Sequence, residues 1–191
     1  MKCSKPIMDV EKEYCYDCRM KQHTYVAGKA VWVYDDIMRK SISRYKYNGS
    51  LEYASVYGKE IAKHYGKWIK AHGDILVPIP LHKKKQQIRG FNQAEVLADI
   101  IGNILQIPIE REWLYRNKYT LPQKELSDKE RLKNLMKAFE INKKKSFLAD
   151  KVMLVDDIYT TGSTIEACAK VLYQAGVKEV YFISICIGKG F

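Results

Sequence analysis

Two adjacent carboxylates, Asp156 and Asp157, are followed by a short loop rich in hydroxyl side chains, Thr160 to Thr164. Within this loop, Gly162 lets a bound group approach the backbone closely because it has no side chain. Backbone amides and hydroxyls at the start of a helix suit a phosphate group. The carboxylates would repel a phosphate and instead suit sugar hydroxyls or Mg²⁺. The pattern therefore predicts a site for a sugar phosphate rather than for a bare anion.

The flanking sequence places this loop at the edge of a sheet. The apolar run Val152–Val155 is typical of a buried strand in a parallel sheet. After the loop, apolar residues recur at helical spacing, and Gly176 is a suitable end for that helix. The loop then joins the carboxyl end of a strand to the amino end of a helix, where α/β proteins bind ligands.

The remaining chain alternates between strand and helix patterns, which predicts an α/β fold with a mostly parallel sheet flanked by helices. Strands are expected at residues 30–34, 75–80, 109–116, 138–141 and 179–187. Helices are expected at 52–71 and 93–105, with short ones after Asp36 and from Ser127 to Met136. Asn92 is predicted to cap the second long helix, and His82 to Arg89 is predicted to be a basic loop.

Length and composition suit one main domain with a small appendage. The chain has 191 residues, 47% of them hydrophobic, and carries a net charge of +11. This charge favours polyanionic partners such as nucleic acid or phosphorylated small molecules, although lysine-rich surfaces also serve solubility. No apolar run is long enough to span a bilayer and no signal-peptide pattern opens the sequence. We expect a cytoplasmic protein without membrane insertion.

Three cysteines near the start suggest a small metal site. Cys15 and Cys18 form a C-x-x-C pair, and Cys3 is a third candidate ligand for a structural Zn²⁺. A closed zinc site has four ligands, and His23 is a candidate for the fourth; the alternative is a loose ribbon without metal. We expect residues 1–25 to form this ribbon-like segment and residues 26–191 to form the main domain, with Cys168 and Cys186 as core residues.

The carboxylate pair and its loop resemble the phosphoribosyl pyrophosphate (PRPP) loop of type I phosphoribosyltransferases. Other segments narrow the resemblance to the ComF/GntX family, most specifically Arg-Gly-Phe-Asn-Gln at 89–93 after Val77–Leu81. Lys46-Tyr47, Pro122-Gln123, Arg131 with Asn134, and the cysteines agree with it. The resemblance covers essentially the whole chain and implies a phosphoribosyltransferase fold with an N-terminal zinc ribbon.

The resemblance also implies roles for residues. Asp156 and Asp157 would be the catalytic pair that holds the ribose hydroxyls, with Mg²⁺ beside them. The PRPP-binding set would be Asp156, Asp157, Ile158, Thr160, Thr161, Gly162, Ser163 and Thr164. Pyrophosphate and the closing of the site are assigned to Lys83, Lys84, Arg89, Gln123 and Arg131. The lysines are equally consistent with a solvated surface.

Three functions follow as expectations. The first is Mg²⁺-dependent phosphoribosyl transfer to an unknown acceptor. The second is a role in handling nucleic acid, since competence members of the family act in DNA uptake alongside a helicase-like partner, and single-stranded DNA would bind the basic surface. The third is a PRPP-sensing regulator of nucleotide synthesis. We expect a PRPP-binding protein of the ComF family that serves DNA uptake.

Overall fold

Helices and parallel strands alternate along the computed structural model, which describes residues 2–7, 9, 11–47, 51–117, 137–142 and 149–190. The helices are α1 (Tyr16–Met20), α2 (Asp36–Tyr47), α3 (Glu52–His72), α4 (Lys83–Arg89), α5 (Gln93–Leu105) and α6 (Ser163–Gln174). The strands are β1 (Ala27–Val33), β2 (Ile75–Pro78), β3 (Leu114–Arg116), β4 (Phe139–Ile141), β5 (Lys151–Tyr159) and β6 (Glu179–Ile187).

Strand β5 lies inside a four-stranded parallel sheet with the order β1-β6-β5-β2. Its buried residues alternate between the two faces, as strand geometry requires. Met153 and Val155 pack in a cluster with α3 and α5, whereas Val152 and Leu154 pack in a cluster with α6. The predicted mostly parallel sheet flanked by helices is therefore confirmed, and all carboxyl ends of its strands meet at one edge.

Two predicted elements differ from the structure. The basic segment predicted to be a loop is helix α4, because His82 accepts a hydrogen bond from the Lys84 N–H at 3.2 Å and Gly90, with φ +80°, ends the helix. The strand expected at 109–116 is only β3, which pairs antiparallel with β4, while Ile109 makes a single bridge to Leu76. The helix predicted from Ser127 lies outside the described residues.

The N-terminal residues pack against the main sheet. Cys3 and Cys15 are buried in the same apolar cluster as Tyr25 and Tyr159. In the described part of the chain, no helix combines the length and the apolar character that crossing a membrane requires.

Glu166, in the first turn of α6, connects the N-terminal residues to this helix through hydrogen bonds. Only 4% of it is exposed, and it accepts hydrogen bonds from the Thr24 N–H at 2.8 Å and the Thr24 hydroxyl at 2.5 Å. His23 lies 3.6 Å away and Lys170 lies 3.5 Å away. Burial alone would raise the pKa of Glu166, but the hydrogen bonds from His23 and Thr24 outweigh it and lower the pKa to about 2.

Replacing Glu166 with Gln should lower the free energy of unfolding at pH 7 by about 1–3 kcal/mol. Because the folded-state pKa is depressed, the carboxylate stabilises the fold fully above its ordinary pKa of 4.5 and progressively less as the pH falls toward 2. Urea unfolding at pH 7, 5 and 3 would measure this, and the difference between the wild type and E166Q should shrink along that series.

Glu52→Gln is the matched control, since Glu52 is an exposed carboxylate in the first turn of α3. It should change stability little at any of the three pH values. A gap between E166Q and the wild type that is the same at pH 3 as at pH 7 would contradict the anchoring role of the ionised carboxylate.

Candidate functional site

The hydroxyl-rich loop rests on a rigid aromatic support. Strand β5 continues through the two carboxylates to Tyr159, and α6 begins at Ser163. The Tyr159 ring stacks on Phe182 at 4.6 Å, and its hydroxyl lies 2.6 Å from the hydroxyl of Tyr25. Gly162 has φ +76°, and a Cβ atom there would lie 2.5 Å from the Tyr159 hydroxyl, so this position requires glycine.

A cavity of about 290 Å³ opens beside this loop, at the carboxyl ends of β2 and β5. Six of the residues predicted from sequence line it: Arg89, Asp156, Asp157, Ile158, Thr160 and Thr164. Thr161, Gly162 and Ser163 belong to the adjoining loop, where the Thr161 and Ser163 hydroxyls lie 2.9 Å apart. Lys83 and Lys84 are exposed on α4 outside the lining, and Gln123 and Arg131 lie outside the described residues.

Four cationic side chains from three elements, α2, α4 and β3, line the cavity: Lys46, Lys85, Arg89 and Arg116. Burial lowers the pKa of Lys85, and the charges of Arg116 and Arg89 lower it further. Burial likewise lowers the pKa of Arg116. The pKa shift of Lys85 therefore reflects burial and also neighbouring positive charge, which favours binding of an anion.

The two carboxylates differ in their surroundings. Asp156 Oδ1 accepts a hydrogen bond from the Asp157 N–H at 2.8 Å. Burial, and then the charge of Asp157, raise the pKa of Asp156 to about 7. Asp157 Oδ2 forms an ion pair with Lys46 Nζ at 2.7 Å. Carboxylate oxygens of this kind can accept hydrogen bonds from sugar hydroxyls and can hold a hard cation such as Mg²⁺.

The Arg-Gly-Phe-Asn-Gln segment builds the opposite wall. Asn92 Oδ1 accepts the Ala94 N–H at 3.1 Å, which confirms Asn92 as the cap of α5, and Asn92 Nδ2 donates to the Ile79 carbonyl at 3.1 Å. Arg89 donates to Gln93 Oε1 at 2.8 Å. Gln93 is 1% exposed, and its Nε2 has no hydrogen-bond partner among the described residues. A buried donor that lines a cavity is suited to an acceptor atom of a ligand.

Sequence reasoning missed three of the four cationic residues that line the cavity. Lys85 rather than Lys83 or Lys84 faces the cavity because α4 is a helix, which places Lys85 on the same side as Arg89 four residues later. Arg116 comes from the short strand β3, and no local pattern in the sequence predicts its approach. Lys46 was part of the family resemblance but had no assigned role; only the fold places it beside Asp157.

The three N-terminal sulfur atoms form a second candidate site. The Sγ atoms of Cys3, Cys15 and Cys18 all lie within 4.8 Å of one another. Tetrahedral zinc with Zn–S bonds of ~2.3 Å holds its sulfur ligands roughly 3.8 Å apart, so the cluster suits Zn²⁺. His23, the candidate fourth ligand, is directed at Glu166 instead, and among the described residues the group consists of the three thiols. Cys168 and Cys186 are buried core residues, as predicted.

Comparisons with known proteins identify relatives that are named competence proteins. The chain is 30% identical to "Competence protein ComFC" of Streptococcus pneumoniae over 175 residues, 90% of this chain and 74% of that protein. It is 30% identical to the Bacillus subtilis protein of the same name over 150 residues, 78% of this chain and 59% of that one. It is 39% identical to "Competence protein F" of Haemophilus influenzae over 108 residues, 56% of this chain and 47% of that protein.

The chain thus spans about half the length of the Bacillus and Haemophilus relatives, from 47% to 59%. No protein-family model matches it. Among solved structures, a purine phosphoribosyltransferase from Pyrococcus horikoshii covers 70% of this chain, and 85% of its own length is matched, with a TM-score of 0.41 and 16% identity. The Streptococcus relative is 30% identical and is matched over 74% of its own length, which is sufficient to assign the family. This chain belongs to the ComF family of competence proteins.

Proposed function

We propose that the cavity binds PRPP and that the chain acts as a phosphoribosyltransferase in the service of DNA uptake. The observation that carries the proposal is a single cavity lined by residues of a hydroxyl-rich loop, two carboxylates and an excess of cationic side chains. PRPP has matching parts: a 5′-phosphate, ribose hydroxyls and a pyrophosphate. A bare phosphate would leave the carboxylates without a role.

Each part of PRPP has a proposed partner. The amides and hydroxyls of Thr160 to Thr164, at the start of α6, would bind the 5′-phosphate. Asp156 and Asp157 would accept hydrogen bonds from the ribose hydroxyls. Lys85, Arg89 and Arg116 would bind the pyrophosphate, since all three line the same cavity. Gln93 Nε2 is a further donor for that end of the ligand.

The oxygen ligands suit Mg²⁺, which Asp156 and Asp157 would hold directly or through water. Bound there, Mg²⁺ would neutralise charge on the departing pyrophosphate. The protein's own residues fix the sugar from the 5′-phosphate and the hydroxyls and surround the leaving group with positive charge. The bond from the anomeric carbon to pyrophosphate then breaks and a bond to the acceptor forms, so positioning and electrostatics supply the catalysis.

The role in DNA uptake rests on the family. The similar proteins from Streptococcus, Bacillus and Haemophilus are named competence proteins. We propose a cytoplasmic protein that works with single-stranded DNA and a helicase-like partner, and in which the three thiols hold a structural Zn²⁺. A regulator that senses PRPP would bind it in the same cavity without converting it to product. An assay for release of pyrophosphate in the presence of candidate acceptors distinguishes the two functions, because only an enzyme would release it.

A double replacement of Asp156 and Asp157 with Ala should weaken PRPP binding in the presence of Mg²⁺ by about 100-fold or more, because two hydrogen-bonding carboxylates are lost. Isothermal titration calorimetry of both proteins with PRPP measures this. As a control, Asp36→Ala with Asp150→Ala removes two exposed carboxylates and should leave the affinity unchanged. Equal affinity of the wild type and the Asp156/Asp157 variant would reject the site.

Arg116→Met should weaken PRPP and free pyrophosphate by about 10- to 100-fold, since one charge-assisted contact is lost, while ribose 5-phosphate should bind as before. Arg44→Met is the matched control, because Arg44 is exposed on α2. Competition titrations with the three ligands would show this. A loss of affinity for ribose 5-phosphate as large as that for pyrophosphate would remove Arg116 from the pyrophosphate end.

A second candidate function is binding of single-stranded DNA. Lys83 and Lys84 are exposed at the start of α4, beside the cavity, and the whole chain carries a net charge of +11. Contacts from such lysines to the DNA backbone release counterions, so the affinity depends strongly on salt. Lys85 contributes less to this surface because it lines the cavity.

Lys83→Gln with Lys84→Gln should weaken binding of an oligodeoxythymidine at low salt and reduce the slope of log affinity against log salt by about 1 to 1.5. Fluorescence anisotropy across a salt series would measure the slope. Lys67→Gln with Lys70→Gln, two exposed lysines on α3, is the control. The candidate fails if the wild type does not bind at low salt, or if the two double variants give the same slope.

A further inference from the structure

We propose that the Lys46 ammonium group occupies the position beside Asp157 that a divalent metal ion would take. Lys46 thereby prevents metal binding to the free cavity, and the metal ion binds only together with a polyanionic ligand. The proposal that Lys46 excludes a metal ion from the free cavity depends only on the position of Lys46. The ligand-dependent part rests on the proposed binding of PRPP.

The ion pair occupies the carboxylate that a metal ion would use. Lys46 Nζ lies 2.7 Å from Asp157 Oδ2, and the two side chains are 17% and 15% exposed. The neighbouring carboxylate is also engaged, since Asp156 Oδ1 accepts the Asp157 N–H at 2.8 Å. A metal ion that approached Asp157 would have to displace Lys46 or share the carboxylate with it, at a cost in repulsion.

Two tyrosines hold Lys46 in this position. Lys46 and its two neighbours Tyr45 and Tyr47 belong to the last turn of α2. Tyr45 is fully buried, and its hydroxyl donates a hydrogen bond to the Gln93 carbonyl at 2.8 Å. On the other side, the Arg89 guanidinium lies over the Tyr47 ring at 5.0 Å and donates to the Tyr47 hydroxyl at 3.1 Å. The end of α2 thereby contacts both the end of α4 and the start of α5, and these contacts position Lys46.

The charge of the cavity supports the same conclusion. Four cationic side chains face two carboxylates among the lining residues, so the free cavity is positive and repels a bare metal ion. A ligand with several phosphate charges reverses this balance and brings a site for the metal with it. Lys46 and the metal ion are then alternative partners of the same acidic centre, and the polyanion decides which of them is used.

The test uses Mn²⁺ as a spectroscopic substitute for Mg²⁺, titrated without PRPP and followed by electron paramagnetic resonance. Lys46→Met and Lys46→Gln should each bind Mn²⁺ about tenfold more tightly than the wild type, since a unit charge beside the carboxylate has been removed. Lys40→Met, an exposed lysine on the same helix, should match the wild type. Thermal melts of each variant establish that the proteins are folded.

Equal Mn²⁺ affinity in the Lys46 variants and the Lys40 control would overturn the proposal. A second arm titrates PRPP with and without EDTA. The wild type should lose less affinity in EDTA than Lys46→Met, because Lys46 supplies positive charge when no metal ion is present, and an equal loss would also contradict the proposal. If the wild type does not bind PRPP with Mg²⁺, the proposed function fails, and the Mn²⁺ arm still decides the role of Lys46.

Discussion

Strand β5 has to be apolar where helices cover both of its faces and charged where it leaves the sheet. The residues from Val152 to Val155 are fully buried between the two helical layers, and the carboxylates come next along the strand. Parallel pairing sets Pro78 opposite Val155 on one side and Ser184 opposite Asp156 on the other. β2 therefore ends beside Val155, while β5 and β6 continue to the paired residues Tyr159 and Ile187. Residues that follow β2 and the last residues of β5 line the cavity.

Charge balance governs what this cavity can hold. Asp156 and Asp157 lie so close together that burial and mutual repulsion raise the pKa of Asp156 to about 7. The charges of Lys46 and Arg116 act in the opposite direction, and the four cations of the lining outnumber the two carboxylates. Lys46 is central because it forms an ion pair with Asp157 directly, while Lys85, Arg89 and Arg116 line the same cavity. The second, thiol-lined site is linked to the loop through Tyr25 and Tyr159, whose hydroxyls are 2.6 Å apart.

The parts of the site that depend on local sequence could be predicted. The carboxylates, the hydroxyl-rich loop and the Asn92 cap each follow from residues a few positions apart, and the structure has the strand, loop and helix as expected. Helix α4 was missed because its basic sequence resembles a solvated loop, while His82 and Gly90 at its ends carry the signal. Arg116 and Lys46 could not be predicted, since tertiary packing alone brings these distant segments to the carboxylates.

We propose that one cavity binds all three parts of PRPP. A crystal structure of the protein with PRPP and Mg²⁺ tests this most directly. We expect electron density for the 5′-phosphate on the Thr160–Thr164 loop, for the ribose at Asp156 and Asp157, and for the pyrophosphate beside Lys85, Arg89 and Arg116. A cavity that stays empty at saturating ligand, or a PRPP molecule bound elsewhere on the chain, would contradict it.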